Sequence, residues 1–532
     1  MNRQDQGNEP PTRWSVTARL LRCWPLVGLG VFAAIFFVRL MDCRFIIGDE
    51  GVSTLGAWRI LEGQVPHRDF FAIFPPFSFL PTALAFKVLG VGFHAERLLV
   101  LVYAVLLILL VDRLLTRYTT SVAARSAAFA FLIPFGVFAW SIPSHHWVVD
   151  VVQLLAVLAL IRSLENGSEV VWGSIAGALT ALGFFSLQDQ GAYLVIALLL
   201  FFFPWVRNRA TRKRLLLAWI SGGILVTILF AVWLLPRVPL GELWYQWIEF
   251  PATEYKELPG NRGSLTSMLS HIGSVTWFAN VSQAPVFQIG LAGLTILVAA
   301  LPLATGAILL VAAVRRWGNR EQTGLLAAGS VAFLAASLHR YALINLIWAA
   351  PIPIVAVAWL VGRECERRDW RRWLGVAATV LMVSCSLGYA VGIMKMTSSK
   401  KLVIVSGPAG ELRTLRGSSE AAIQPILDAV GQHVPSDAAL FCTGFQALVN
   451  FWSLRPNPTR FDFFEPHTSE QWEEAITTLE ARSGNHVLLV LPVAPDDVFG
   501  NHALRNYRPI WQAPSALLMA VPASADSQRP ED

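Results

Sequence analysis

Charged residues are scarce in this 532-residue chain: they make up 15% of it, against 55% hydrophobic residues. Soluble domains carry about 25% charged residues, so the composition excludes an ordinary soluble protein. The mean hydropathy of +0.52 indicates a chain that crosses a membrane many times. The net charge of +6 does not indicate a nucleic-acid partner, because Lys and Arg stand in short runs between apolar segments, which is how orientation in a bilayer is encoded.

Other features are missing as well. The five cysteines show no CxxC pair and no metal-ligand spacing. No small-residue cleavage site follows the first apolar segment, so we interpret that segment as a retained span rather than a removed signal peptide. The polar C-terminal part has no Gly-rich phosphate loop and no spacing typical of a catalytic triad. We also find no internal repeat of the kind that transporters show.

Apolar segments and basic clusters together predict about eleven membrane spans. Basic residues precede the first span, which places residues 1–22 in the cytoplasm as a polar tail. Every basic cluster then falls on the cytoplasmic side of a membrane domain over residues 23–394, which has a long outer loop at 236–285. The predicted spans are Cys23–Met41, Glu96–Val111, Ala123–Trp140, Trp147–Leu164, Val171–Leu187, Ala192–Val206, Leu215–Leu235, Val286–Val314, Leu325–Leu338, Leu343–Val361 and Trp373–Met394.

The first outer loop, residues 42–95, carries an adjacent acid pair, Asp49 and Glu50. Apolar residues recur every three positions after it, which predicts a short amphipathic helix over Glu50–Glu62 that lies on the membrane surface. Gly63 is expected to end this helix. The simpler alternative for Asp49 is a helix N-cap, a position that Asp often occupies.

The same loop contains a second apolar segment, Phe77–Gly90, which follows the pair Pro75-Pro76. It is shorter than the roughly 20 residues that a span needs. We therefore expect a second interfacial helix here, with Lys87 near its end.

Titratable side chains of the membrane part gather on its outer side. Bystanders would be expected on both faces, and such groups are costly near apolar boundaries, so their one-sided placement suggests a site. The histidines are His67, His94, His145, His146, His271 and His339, and the acids are Asp42, Asp49, Glu50, Asp69, Asp150 and Asp189.

From residue 395 the composition becomes that of a soluble domain, which we place at 395–522 with a disordered tail at 523–532. Four short apolar segments, LVIVS, ALFCTG, HVLLVLPV and SALLMAVP, are typical of buried strands. Ser419–Val430 and Ser469–Arg482 are predicted helices. The alternation predicts a small α/β domain outside the cytoplasm, interpreted as a lid or acceptor-binding module.

The first outer loop resembles that of the multi-spanning GT-C glycosyltransferases, and among them the bacterial protein-mannosyltransferase-like and aminoarabinose-transferase-like branches. The resemblance depends on the acid pair, on the segment EGQVPHRDFFAIFPPFSFLPTALAFKVLG and on Arg97. It is best over residues 1–190. It implies a polytopic all-α membrane protein with a small outer α/β domain, in the bacterial inner membrane, that takes a sugar from a polyprenyl phosphate to a lipid, glycan or protein acceptor.

The resemblance also implies roles for individual residues. Asp49, with Glu50, matches the carboxylate that acts as general base on the acceptor hydroxyl or holds the acceptor, and a hydroxyl does need a positioned base. The leaving phosphate needs cations, and a guanidinium binds phosphate in a bidentate way. The outer-side candidates are Arg340, His339, Lys87 and Arg68. For Arg340 the alternative is a residue that snorkels at the end of a span.

The second outer loop, SIPSHHWVVD, lies where relatives carry a further acid. If it is helical, His146 and Asp150 share a face, and a divalent cation, Mg or Mn, bridging them to Asp49 is one alternative; capping of the fourth span is the other. We assign His145, His146, Asp150, Asp69, Gln188 and Asp189 to the acceptor side. Relatives have a lysine near Gln188 or Gln190 and a Lys or Glu before Pro75-Pro76, so the sugar class stays open.

Two other classes of function remain. A transporter or flippase of lipid-linked sugars would handle the same lipid without transfer, and a non-catalytic envelope-assembly protein would use the outer domain as a binding module. The missing repeat and the outer position of the titratable groups favour the glycosyltransferase.

Overall fold

The computed structural model describes residues 16–38, 40–43, 45, 47–140, 143–165, 168–257, 285–315, 319–337, 343–397, 402–416, 420–443, 447–462, 469–481, 486–490, 497–513 and 516–520. For Asp49 it describes the backbone but not the side chain. His339, Arg340 and His271 lie outside the described residues.

Helices account for the described part up to residue 397. In chain order they are α1 (Val16–Val38), α2 (Ile47–Leu61), α3 (Leu80–Leu89), α4 (Phe93–Tyr118), α5 (Val122–Trp140), α6 (His145–Glu165), α7 (Glu169–Phe184), α8 (Gln188–Ala197), α9 (Arg209–Leu234), α10 (Leu240–Trp244), α11 (Phe250–Ala252), α12 (Glu254–Glu257), α13 (Pro285–Val314), α14 (Arg320–Ala336), α15 (Leu343–Trp348), α16 (Pro353–Cys365) and α17 (Arg371–Thr397). A π-helical turn, Tyr245–Glu249, joins α10 to α11.

Each predicted span coincides with helical structure, and the polytopic all-α membrane architecture is confirmed. Five helices are long and apolar enough to cross a bilayer on their described residues alone: Phe93–Tyr118, His145–Glu165, Arg209–Leu234, Gly293–Val314 and Arg371–Gly392. The count of about eleven spans stays a prediction. The tenth predicted span, Leu343–Val361, is not one helix: α15 ends at Trp348 and α16 begins at Pro353, because Pro351 has no N–H to continue the hydrogen-bond ladder.

Close contacts between membrane helices occur where small residues face each other. α7 and α9 approach so closely that a methyl group at Gly177 would lie 1.8 Å from the backbone oxygen of Trp219, and one at Gly222 would lie 1.9 Å from that of Ser174. Lipid tails give no hydrophobic drive between spans, so packing of small residues is what holds such helices together.

The C-terminal domain, which is predicted to lie outside the cytoplasm and is called the outer domain here, has the predicted α/β character. A hairpin, β1 (Leu402–Gly407) and β2 (Gly410–Leu415), precedes a mixed sheet of β3 (Ala439–Cys442), β4 (His486–Val490), β5 (Arg508–Ala513) and β6 (Ala516–Ala520) in the order β3-β4-β6-β5. β3 and β4 are parallel, and the other pairs are antiparallel. The helices are α18 (Ile423–His433), α19 (Ala447–Ser453), α20 (Ser469–Glu480) and α21 (Asp497–Asn506).

The first outer loop and the outer domain share one hydrophobic core. Buried side chains from α2 and α3 pack with Leu448, Phe451 and Trp452 of α19. Two ion pairs add to this contact, one between Arg413 and Asp42 at 2.6 Å and a buried one from Arg59 to the outer domain at Asp462. The outer domain is therefore packed onto the loop, and its role as a lid or acceptor-binding module stays a prediction.

This packing changes the expectation for the first-loop helix. α2 exists and Gly63 ends it with a φ of 86°, as predicted. However, α2 does not lie open on a surface: Val52, Thr54 and Leu55 are all buried, although their side chains lie on different sides of the helix. A helix covered all round is a core element, so α2 is held by protein.

Candidate functional site

The acid pair lies in the first turn of α2, where Asp49 is the third residue of the helix. This position is inside the first helical turn, and the capping alternative for Asp49 stays a prediction. Glu50 is fully buried and its carboxylate forms an ion pair with Arg97 near the N-terminal end of α4. The ion pair of Glu50 with Arg97 therefore fixes the backbone at Asp49 to the start of α4.

Arg97 has a second acidic neighbour, which the sequence analysis did not single out. The carboxylate of Glu96 lies 3.9 Å from Nε of Arg97 and is fully buried. Neither Glu96 oxygen has a hydrogen-bond partner among the residues that the structure describes. Burying one guanidinium with two carboxylates costs free energy unless the geometry is good. These three side chains therefore make the N-terminal end of α4 a candidate part of a functional site.

The predicted phosphate ligands are dispersed in the described part of the chain. Lys87 is exposed on α3. Arg68 is exposed and donates two hydrogen bonds to its neighbour Asp69, at 2.9 and 2.8 Å. These hydrogen bonds lower the pKa of Asp69, which also accepts from the backbone N–H of Val65 at 2.7 Å. Arg68 is thus engaged by a carboxylate, and Asp69 closes a turn of the loop.

The second outer loop is joined to two other outer segments by a stack of rings. Phe74 of the first loop lies 3.8 Å from His145, measured between ring centroids. His145 is next to His146 at 4.4 Å, and His146 stacks on Trp348 at the end of α15 at 5.2 Å. The broken tenth helix therefore brings Trp348 to the histidine pair.

Asp150 lies one turn further into α6 and is fully buried. Its Oδ1 accepts a hydrogen bond from the side-chain amide of Gln190 at 3.0 Å, and Oδ2 has no hydrogen-bond partner within the described ranges. Asp189 accepts from the backbone N–H of Gln190 at 2.7 Å. A buried carboxylate in a membrane helix is a functional candidate, and Gln190 connects it to the start of α8.

Gln188 links three outer segments at the same helix start. Its side-chain amide donates to the backbone oxygen of Ile73 at 2.9 Å and to that of Trp247 at 3.1 Å. The structure thus brings the first outer loop together with the start of α8 and with the turn after α10. No group of three or more His, Cys, Asp or Glu side chains within the described part is placed to hold a metal ion, and the metal site predicted with Asp49 stays a prediction.

His67 is the central residue of a network that the sequence analysis missed. It is fully buried at a φ of 69°, in the left-handed region that His enters more readily than most residues. The indole N–H of Trp247 donates to its Nε2 at 3.0 Å, and its Nδ1 lies 3.0 Å from Oε1 of Gln246. The sequence signals for His67 were its place among the histidines of the predicted outer side and its position between Pro66 and an Arg-Asp pair.

The network determines the protonation of His67. An indole N–H is only a donor, so Nε2 of His67 must accept and the proton of the neutral ring is on Nδ1. The Gln246 amide is oriented in turn: its Nε2 donates to the oxygen of His67 at 3.1 Å and to Glu242 at 3.0 Å. Burial lowers the pKa of His67 to about 4, against the opposing effects of Gln246, the backbone at Ala72 and Glu242.

This pKa predicts a pH dependence of stability. The unfolded ring titrates near pH 6.5 and the folded one near pH 4, so the full stability is present above pH 6.5 and is lost as the pH falls, because the unfolded state binds the proton first. At pH 5 the loss should be about 2 kcal/mol. Thermal unfolding in detergent at pH 7.5 and pH 5 should show a smaller decrease for His67→Asn than for wild type. The exposed His433, replaced in the same way, should retain the wild-type decrease.

An apolar groove of about 320 Å³ lies beside this network. Its walls come from the end of α9, from α10 with the π-helical turn, and from Phe185 between α7 and α8; the lining residues include Phe230, Leu234, Leu243, Trp244 and Trp247. Phe185 stacks on Phe230 at 4.1 Å. The groove can accept an apolar chain, and it is next to the outer loops through Trp247.

Membrane-length helices whose first loop packs with a small α/β domain make up a fold that this chain shares with solved structures. The chain is similar to ArnT from Cupriavidus metallidurans bound to undecaprenyl phosphate, with a TM-score of 0.55 and 14% identity over 96% of this chain and 99% of that chain.

The same protein in the apo state gives a TM-score of 0.54 and 15% identity over 94% of this chain and 98% of that chain. The apo oligosaccharyltransferase of Archaeoglobus fulgidus gives 0.48 and 14% over 89% and 70% of the two chains. No family model and no curated protein matches the sequence. At these identities the likeness to the two ArnT structures establishes the fold alone.

Proposed function

We propose that this protein is an integral-membrane glycosyltransferase that moves a sugar from a polyprenyl phosphate to an acceptor outside the cytoplasm, which is a lipid, a glycan or a protein. It resides in the bacterial inner membrane with its N-terminus in the cytoplasm and its α/β domain outside. The observation that carries the proposal is the acid pair in the first turn of α2, held by the buried Glu50–Arg97 pair near the N-terminal end of α4. Similarity in fold to a protein bound to undecaprenyl phosphate supports the choice of donor.

In this proposal Asp49 is the general base, or the group that positions the acceptor hydroxyl. An alcohol is a weak nucleophile and needs a carboxylate within hydrogen-bond reach. Positive charge develops on the sugar ring in the transition state, and nearby carboxylates stabilise it. Glu50 is already paired with Arg97, so its role is to hold the helix start, and the reacting carboxylate is Asp49.

The leaving phosphate requires cations at the same boundary. Arg68 is paired with Asp69, which makes it a weaker candidate than the sequence analysis suggested. We therefore assign the phosphate to Arg340 and His339, with Lys87 as an additional cation. The apolar groove beside Trp247 takes part of the isoprenoid chain, since its walls are aromatic and aliphatic.

The acceptor side consists of His145, His146, Asp150, Gln188 and Asp189. The ring stack and the Gln188 hydrogen bond join these segments to the first outer loop, and the Gln190 hydrogen bond joins Asp150 to the start of α8. A divalent cation on Asp49, His146 and Asp150 belongs to the same proposal, and donor consumption that persists in EDTA would remove it.

The test is to incubate the purified protein in nanodiscs with radiolabelled polyprenyl-phosphate sugars and an envelope extract that supplies the acceptor, and to measure donor consumption. Asp49→Asn should lower the rate at least about 100-fold, which is the usual contribution of a general base. Asp437→Asn is the matched control, because Asp437 is exposed on the outer domain. Equal donor consumption by Asp49→Asn and wild type would contradict the assignment of Asp49.

A further inference from the structure

Trp247 is a residue of the groove wall that hydrogen bonds hold through both its side chain and its backbone. Its indole N–H donates to Nε2 of His67 at 3.0 Å, and its backbone oxygen accepts from the side-chain amide of Gln188 at 3.1 Å. Its ring also meets Phe185 edge to face at 6.2 Å. Trp244, which lines the same groove, is 61% exposed. One tryptophan of the groove is thus fixed from the first outer loop, while the other projects outward.

His67 is constrained on every side. Both ring nitrogens have partners in the π-helical turn, Gln246 and Trp247, which are consecutive residues. The backbone N–H of His67 donates to the oxygen of Phe70 at 2.9 Å, and its own oxygen accepts from Gln246. A non-glycine residue in the left-handed region persists only where its surroundings determine it. These contacts therefore hold the His67 ring with its Nε2 directed at the indole N–H of Trp247.

The network reaches the outer domain by a chain of charged groups. Glu242 accepts from Gln246 and lies 3.3 Å from Arg460, which pairs with Glu474 of α20 at 2.9 Å. The Oε1 of Gln246 also accepts from the backbone N–H of Ala72 at 3.0 Å. The orientation of Trp247 is consequently set by the first outer loop and not by the groove alone.

We propose that His67 is a positioning residue for the lipid part of the donor: by accepting the indole N–H it holds the Trp247 ring as a wall for the isoprenoid chain. The inference rests on the proposed function and deepens it. His67 then determines the affinity for the long apolar chain. It does not contribute to the transfer step, because its one accepting nitrogen is already occupied.

The experiment measures binding of undecaprenyl phosphate, without a sugar, to the purified protein in nanodiscs, and uses farnesyl phosphate as a short-chain comparison. His67→Asn retains a residue that tolerates the left-handed backbone but is too short to reach the indole. Trp247→Phe retains an aromatic ring but removes the donor. Each should weaken binding of undecaprenyl phosphate about tenfold, the value of one hydrogen bond of about 1.4 kcal/mol.

Because both substitutions remove the same hydrogen bond, the double variant should bind no more weakly than either single variant. Farnesyl phosphate should bind all variants within about twofold of wild type, since one short chain contacts little of the groove. With a competent donor the KM should rise and kcat should stay within about twofold. The exposed His433→Asn is the control that should bind as wild type does.

Some outcomes would overturn the inference alone. If wild type binds undecaprenyl phosphate and His67→Asn and Trp247→Phe bind it equally well, His67 does not position the wall. Additive losses in the double variant, or an equal loss for farnesyl phosphate, would also overturn it. Failure of wild type itself to bind undecaprenyl phosphate would instead overturn the proposed function. Trp247→Phe leaves the buried loop intact, so it decides the question if His67→Asn does not fold.

Discussion

Replacing Gly51 by alanine should destabilise the protein by about 2 kcal/mol, whereas the same change at Gly431 should stabilise it by up to about 1 kcal/mol. A methyl group at Gly51 would lie 2.3 Å from the backbone nitrogen of Leu448 and 2.8 Å from its Cα. These are backbone atoms of α19, so no side chain can move aside. The helix that carries the acid pair and the outer domain would have to separate.

Gly431 is the matched control because it too lies in a helix, α18, and an added methyl group meets nothing within 4 Å. At that position alanine only removes conformational freedom from the unfolded chain. Thermal unfolding in detergent and limited proteolysis at the start of the outer domain would measure the difference. Donor consumption should decrease for Gly51→Ala as well. Equal stability of the two variants would show that α2 does not need its contact with α19.

The positions of the spans could be predicted from sequence because each long apolar segment is separated from the next by polar or basic residues. Breaks within a span were harder to predict, since Leu343–Val361 is apolar apart from Asn345 and a hydropathy value does not register a missing backbone N–H. Pro351 and Pro353 were the available signal. The strands β2 and β5 were not predicted because neither is a continuous apolar segment. β2 carries Glu411 and Arg413, and β5 is a largely exposed edge strand.

The surroundings of α2 could not be predicted, because its partner α19 comes about 400 residues later in the chain, as the Arg59–Asp462 pair illustrates with a separation of 403. The three-residue periodicity identified one apolar side. The signal for burial of the other side was small residues, Gly51 and Gly56, which permit close approach. His67 and its partner Gln246 are likewise 179 residues apart, and nothing local to either residue indicates the other.

Replacing Arg97 by methionine should have the largest effect on stability among single changes at the acid pair. Methionine retains most of the side-chain volume and removes the charge, which leaves the buried carboxylates of Glu50 and Glu96 without their guanidinium. Removing one partner of a buried ion pair typically costs about 3 to 5 kcal/mol. The loss should appear as a lower unfolding temperature and a lower yield of folded protein in the membrane.

The same helix provides the control. Arg117 pairs with Glu165 at 2.6 Å near the other end of α4, but both side chains are about one-third exposed. Such a pair contributes at most about 1 kcal/mol, so Arg117→Met should be nearly neutral. The double variant Glu50→Gln with Arg97→Met should recover part of the loss, because the uncompensated charge of Glu50 is gone.

The double variant also distinguishes a loss of stability from a loss of donor consumption. Glu50→Gln with Arg97→Met restores part of the buried contact but not the ion pair that anchors the first turn of α2. If that anchor positions Asp49, the double variant should fold, bind undecaprenyl phosphate as wild type does and still consume donor slowly. Wild-type donor consumption by a folded double variant would mean that Asp49 is held in place by α19 alone.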